Sequence, residues 1–150
     1  MDIGAGPVCA LSRVRALRKI AVDPLDFESL DKTIERIKAQ GENTTLPPET
    51  AHRVLMYNVL QHVQSPEQIL DEIIRIIKPA GKAYILEQLD ELPCEGHPHT
   101  LKIGMFERWI DDNKLIVHKK QLEADKVLTS VNPDRPGCGV SVLCLIVEKQ

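Results

Sequence analysis

Aromatic residues make up only 3% of this 150-residue chain: Phe27, Tyr57, Tyr84, Phe106 and Trp109. A ligand pocket walled by stacked rings is therefore not expected, nor is the aromatic and basic surface on which single-stranded nucleic acid stacks. A basic balance is missing as well. Net charge is −3 and the sequence pI about 5.9, whereas nucleic-acid-binding domains are strongly basic. The one basic run, RVRALRK (Arg13, Arg15, Arg18, Lys19), reads as a solvated helix end and strand start, with a phosphate- or acid-binding patch as the alternative. No apolar run approaches the roughly 18 residues needed to span a membrane, and no signal peptide is visible. The four cysteines, Cys9, Cys94, Cys138 and Cys144, show no CxxC pair and no disulfide-framework spacing, so a reducing cytoplasm is expected. Cys144, inside SVLCLIVEK, reads as a small buried hydrophobe.

What is present suits one globular domain. Apolar residues are 43% and charged residues 27% of the chain, ordinary values for a soluble protein. After an opening DIGAGP, the stretch VCALSRVRAL places Val8, Leu11, Val14 and Leu17 near helical spacing. RKIAVD predicts a short buried strand ending at Asp23, stopped by Pro24. LDFESLDKTIERIKAQGE is helix-like at first, and RIKAQ alternates as a strand does. TTLPPET is a loop. RVLMYNVL predicts a buried strand. Ser65, Pro66 and Gln68 then form a helix start with a capping-box pattern. The helix presents Ile69, Leu70, Ile73, Ile74, Ile76 and Ile77 as a wide apolar face and stops at KPAG. KAYILEQ is the next strand, completing a parallel crossover unit. A polar loop follows from Leu89 to Thr100. LKIGMFERWIDD predicts a helix, and KLIVHKKQL and VSVLCLIVEKQ two strands that pair antiparallel. The pattern indicates an α/β fold: a doubly wound, mostly parallel sheet with helices on both faces and an antiparallel C-terminal strand pair.

In such sheets ligands bind outside the carboxyl ends of the strands. Gly4 and Gly6, framed by Asp2, follow the first strand. Asp23 follows the second, 19 positions beyond Gly4, where an acid can accept from ribose hydroxyls. Glu42 follows the third, and Tyr57 and Asn58 the fourth. The dinucleotide fingerprint lacks its third glycine, since Pro7 and Val8 come next, and this argues against a nicotinamide cofactor.

DIGAGP, AVDP, GENTTLP, VLMYNVLQHV and IIRIIKPAGKAYIL, in that order, resemble the Rossmann-like class I S-adenosylmethionine-dependent methyltransferases over nearly the whole chain. The resemblance implies a single methyltransferase-like domain over residues 1–150, with S-adenosyl-L-methionine as cofactor and a small-molecule O or N acceptor. Gly4 and Gly6 would form the turn over the cofactor's methionine part, with Asp2 helping to orient it. Asp23 would bind the ribose hydroxyls, Pro24 and Leu25 would flank the adenine, and Glu42 would accept from the adenine amino group. Asn58 would line the methionine side near the reactive methyl.

A hydroxyl or other protonated acceptor calls for a general base. His62, just past the fourth strand, and His97 or His99 in CEGHPHTL are the candidates, His97 slightly ahead of His99. Cys94, His97 and His99 could alternatively bind a metal. The first strand, central in the resembled family, is reduced to Met1–Ile3, and the N-terminal cover helices of that family are not seen. Weak or absent cofactor affinity is expected from this, with a truncated form, or a homodimer or partner chain over the open N-terminal side, as explanations. The alternative function is a methyltransferase-fold binding or assembly module without catalysis.

Overall fold

The structure, a computed structural model, describes residues 1–7, 9–27, 31–124 and 140–150. Seven strands form one mixed sheet in the order β3-β2-β1-β4-β5-β7-β6. They are β1 (Asp2–Ile3), β2 (Lys19–Val22), β3 (Ile34–Ile37), β4 (Ala51–Tyr57), β5 (Ile77–Leu89), β6 (Ile116–Ala124) and β7 (Ser141–Glu148). The first five run parallel; β7 pairs antiparallel with both β5 and β6. Among the described residues two α-helices, α1 (Pro66–Ile76) and α2 (Ile103–Asp112), accompany the sheet, with short 3-10 turns at Ala10–Arg13 and Leu60–His62.

The stub β1 fills the centre of the sheet. Asp2 and Ile3 pair with Ala21 and Val22 on one side and with Leu55 and Met56 on the other. Flanking groups lengthen this short strand: Leu55 N–H donates to Met1 O, the Met1 ammonium to Arg53 O, and Gly4 N–H to Val22 O. Both neighbours thereby find partners for groups that would cost roughly 1–3 kcal/mol each if buried unpaired.

Strand pleating separates two faces. Ile3, Val54, Met56, Ala83, Ile85, Leu143, Leu145 and Val147 point to the first face, where they form one core with Ile69, Ile73 and Ile76 of α1 and Phe106 and Trp109 of α2. Ser65 caps α1 by accepting from Gln68 N–H, and Pro66 takes the first helical position, as the capping pattern predicts. Lys149 Nζ closes the other end, donating to Ile74 O and Ile77 O. Trp109 Nε1 donates to Leu70 O at 3.1 Å and ties α2 to α1.

On the second face, a smaller cluster of Ala5, Cys9, Leu11, Ala21 and Ile34 sits under β1, β2 and β3. The helix expected over Val8–Leu17 is not formed. Ala10–Arg13 make a single 3-10 turn, Cys9 provides no side-chain cap, and Val14 is already extended. Only Leu11 of the described periodic positions is buried; Val14 is exposed and Leu17 fully so, leaving no apolar face to dock. Arg18 pairs with Glu35 and Lys19 with Asp31, so half of the basic run is engaged in ordinary ion pairs. The third strand begins at Ile34, two residues before the predicted RIKAQ, because Ile34 is the residue that reaches the core. The helix-like start of that segment runs into residues 28–30, outside the described residues, as does Cys138. Cys144 is half-buried on the second face. Among the described residues no helix is long and apolar enough to cross a membrane.

Candidate functional site

The carboxyl ends of β1, β2, β4 and β5 meet at one edge of the sheet. Gly4 leaves β1 with φ +68°, and a Cβ there would lie 2.5 Å from Val59 Cγ2, so only glycine lets the turn lie against the end of β4. Gly6 has φ +57°, and nothing stands within 4 Å of where its Cβ would be. A left-handed glycine facing open space is a floor on which a ligand can rest.

Asp23 holds this floor in place. Its Oδ2 accepts from Gly6 N–H at 2.9 Å and its Oδ1 from Leu25 N–H at 2.9 Å. Each oxygen keeps acceptor capacity for a further donor. Pro24 and Leu25 are exposed beside it. Asp2 lies under the turn rather than beside it. It is buried on the second face, and its Oδ2 accepts from Ala10 N–H at 3.1 Å and from Cys9 Sγ at 3.4 Å. Burial pushes its carboxyl above the usual range, against these two hydrogen bonds.

Glu42 and Asn58 each carry an unpaired acceptor. Glu42 Oε1 accepts from Gln64 and Ser65 N–H, while its Oε2 is buried with no partner. The loop bearing Glu42 is anchored to α1, because Glu72 accepts from both N–H and Oγ1 of Thr44 and is gripped by Arg75 at 2.6 and 2.7 Å. Burial opposes the charge on Glu72, but the hydrogen bonds from Arg75 and Thr44 outweigh it and hold the carboxyl below its usual range. Asn58 has φ +54°, which asparagine tolerates better than most residues, and its Oδ1 is likewise buried and unpaired. Gln61 Oε1 is a third. These orphaned acceptors call for a ligand rich in N–H and O–H donors.

Glu87 explains how the turn after β4 is held. Fully buried on the first face, it accepts from Val59 N–H at 2.9 and 3.1 Å and from Leu60 N–H at 3.4 Å. Burial drives its pKa up to about 8, although both backbone donors favour the charged form. The carboxyl end of β5 thus fixes Val59, and Val59 abuts Gly4.

Three histidines lie at this edge, His62 in the turn after β4 and His97 and His99 in the loop after β5. His62 Nδ1 donates to Gly96 O at 2.9 Å, and His97 Nδ1 to Glu91 Oε2 at 3.2 Å. These bonds put a proton on Nδ1 of each ring, so in the neutral ring Nε2 is the proton acceptor. The two rings meet edge to face at 4.4 Å. His99 differs, because its Nε2 is already bound to Val63 O at 2.7 Å. Cys94 and His97 bond to each other through backbone groups, and among the described residues no three potential ligands gather as a metal site.

Sequence reading picked out Asp23, Glu42, Asn58, His62 and His97 but passed over Glu87, Gln61, Glu91 and Glu72. Glu87 did carry a signal, a charged residue within the apolar strand KAYILEQ. Glu91 and Gln61 carried none, since their partners and burial come from the loops that surround them.

The sequence profile of a family described as "Methyltransferase domain" matches residues 1–85. Among curated protein sequences none matches the chain. Solved structures match in fold. The cyclase SpnF superposes with a TM-score of 0.75 at 12% identity, covering 99% of this chain and 73% of that one. The geranyl diphosphate C-methyltransferase of Streptomyces coelicolor, solved with geranyl diphosphate and S-adenosyl-L-homocysteine, gives 0.74 at 12% identity, over 99% and 71%. The Burkholderia thailandensis 1,6-didemethyltoxoflavin-N1-methyltransferase, solved with S-adenosylhomocysteine, gives 0.73 at 14% identity, over 99% and 69%. With a profile match over more than half its length and this strand order, the chain belongs to the class I S-adenosylmethionine-dependent methyltransferase family.

Proposed function

We propose that this chain is an S-adenosylmethionine-dependent methyltransferase acting on a small-molecule O or N acceptor in the cytoplasm. The observation that carries the reading is the set of unpaired buried acceptors, Glu42 Oε2 and Asn58 Oδ1, flanking a glycine floor tied to Asp23. Their chemistry fits the cofactor: Asp23 would bind the ribose hydroxyls, Glu42 would accept from the adenine amino group, and Asn58 would line the methionine side near the reactive methyl. Pro24 and Leu25 offer an apolar flank to the adenine. Asp2 contributes from below by fixing the turn that Gly4 and Gly6 make.

When bound, the cofactor supplies an electrophilic methyl group on a sulfonium. The protein's own task is to hold an acceptor atom in line and to take its proton. His97 suits that role, with Glu91 orienting its ring and Nε2 left as a proton acceptor. His62, whose Nε2 is similarly disposed, stands beside it as a second base. A homodimer or a partner chain over the N-terminal side completes the proposal.

Calorimetric titration of S-adenosylhomocysteine into the wild-type chain and Asp23→Ala tests the reading. Saturable binding that Asp23→Ala weakens at least tenfold supports it. Equal behaviour of the two proteins favours instead a fold retained for binding or assembly without methyl transfer.

A further inference from the structure

Half of the basic run RVRALRK is not used by its own chain. Arg18 and Lys19 are held by Glu35 and Asp31. Among the described residues the side chains of Arg13 and Arg15 have no hydrogen-bond or ion-pair partner. Residues 12–18 are all exposed, and Leu17 lies wholly in water. The other exposed run of this length among the described residues, 116–122, differs, because His118, Lys120 and Gln121 in it are tied to acids of their own chain. Val14 is extended, with φ −103° and ψ 136°. Arg13 and Arg15 therefore project to one side, with their Cα atoms about 6–7 Å apart. A segment offering two free cations and a leucine is matched by a surface that sets carboxylates around an apolar floor.

The first face carries such a surface. Between α1 and α2 lies a cleft of about 400 Å³ with Leu70, Met105 and Trp109 as its apolar floor. Its walls hold Glu67 and Asp71 of α1 and Arg108 and Asp112 of α2. None of these four charged side chains has a hydrogen-bond or ion-pair partner among the described residues. Three carboxylates against one guanidinium leave two negative charges, which Arg13 and Arg15 match. Glu67 and Asp71 stand on one strip of α1, four residues and about 6 Å apart along its axis. That is close to the spacing of Arg13 and Arg15, and the match holds whichever arginine meets which acid. Leu17, two residues beyond Arg15, supplies an apolar side chain for the floor.

Within one chain the two surfaces cannot meet, because the sheet separates them. Leu11, just before the segment, packs in the second-face cluster, whereas α1 and α2 lie on the first face. We infer that residues 13–17 of one copy dock in the α1–α2 cleft of the next, with Arg13 and Arg15 on Glu67 and Asp71 and with Leu17 on the apolar floor. The two surfaces differ, so the contact runs head to tail. It specifies the second copy proposed over the N-terminal side and rests on that part of the proposed function alone. None of the residues assigned to the cofactor or acceptor takes part.

Sedimentation equilibrium over a concentration series tests it at low salt, where exposed charge pairs are least screened. The samples are the wild type, Arg13→Glu/Arg15→Glu, Glu67→Lys/Asp71→Lys and an equimolar mixture of the two variants. The expected result is a wild-type mass that rises with concentration and at least tenfold weaker self-association of each variant. The mixture should recover association, because the acids of one segment then face the lysines of the other protein's cleft. Circular dichroism matching the wild type establishes that each variant is folded. If the cleft variant disturbs α1, the segment variant decides alone, since it loses no contact of its own chain. A wild-type monomer at every concentration would overturn both this contact and the second copy over the N-terminal side. Association that the folded segment variant retains, or folded variants whose mixture fails to recover it, would overturn this contact alone.

Discussion

The two faces of the sheet are built by different means. On the first, α1 and α2 bring Ile69, Ile73, Phe106 and Trp109 onto the strands, and the core they make is continuous from β1 to β7. On the second, among the described residues, a 3-10 turn held by one carboxylate covers β1, β2 and β3. Farther along that face Leu55, Tyr84, Leu86, Cys144 and Ile146 are only half-buried, and Tyr57 is 49% exposed. Stability is therefore concentrated on one side, while the glycine floor rests where the two sides meet. The site depends on both: Glu87 reaches it from the first face and Asp2 from the second.

Truncating the first face has the largest expected effect. Phe106→Ala removes a fully buried ring and should cost about 3–5 kcal/mol in denaturant-induced unfolding. A loss as small as that of a second-face substitution would erase the difference between the faces. Asp2→Ala comes next, at about 1–3 kcal/mol, because the buried Cys9 thiol and the part-buried Ala10 N–H lose their acceptor. Hydrogen exchange at Ala10 and Ser12 should rise with it; unchanged protection there would show that the turn does not need the carboxylate.

Glu87 sharpens the comparison through pH. Its folded pKa of about 8 lies well above the ordinary carboxyl value, so below that value folded and unfolded states both hold the proton. As pH rises toward 8 the unfolded state gives it up first, and stability falls across that window. Glu87→Gln, neutral throughout, should flatten this slope in unfolding experiments between pH 5 and pH 8. A slope identical in both proteins would assign the effect to other groups. The smallest change is expected for Leu55→Ala on the second face, about 1 kcal/mol or less, since the side chain is only partly withdrawn from water.

The same contrast decides what could be read from the sequence. Strands and helices of the first face announced themselves: Ser65, Pro66 and Gln68 mark the start of α1, and its isoleucines recur at helical spacing because they bury against strands. On the second face periodicity misled. Val8, Leu11, Val14 and Leu17 imitate a helix, yet Val14 and Leu17 face solvent. Local spacing alone does not tell whether a surface exists to receive the apolar stripe. At the site, Asp23, Glu42 and Asn58 were legible because each follows a strand. Glu91 was not, since its value comes from where a loop folds back onto His97. Nor did the three residues before Gly4 reveal that main-chain groups of Met1 and Gly4 would extend β1's pairing on both sides.

The central claim is that Asp23 and the glycine floor hold S-adenosylmethionine. Calorimetric titration of S-adenosylhomocysteine into wild type and Asp23→Ala tests it most directly. The account predicts saturable one-to-one binding, weak in absolute terms, that falls at least tenfold in Asp23→Ala while the fold is unchanged. Absence of binding by the wild type, or equal binding by both proteins, would contradict it.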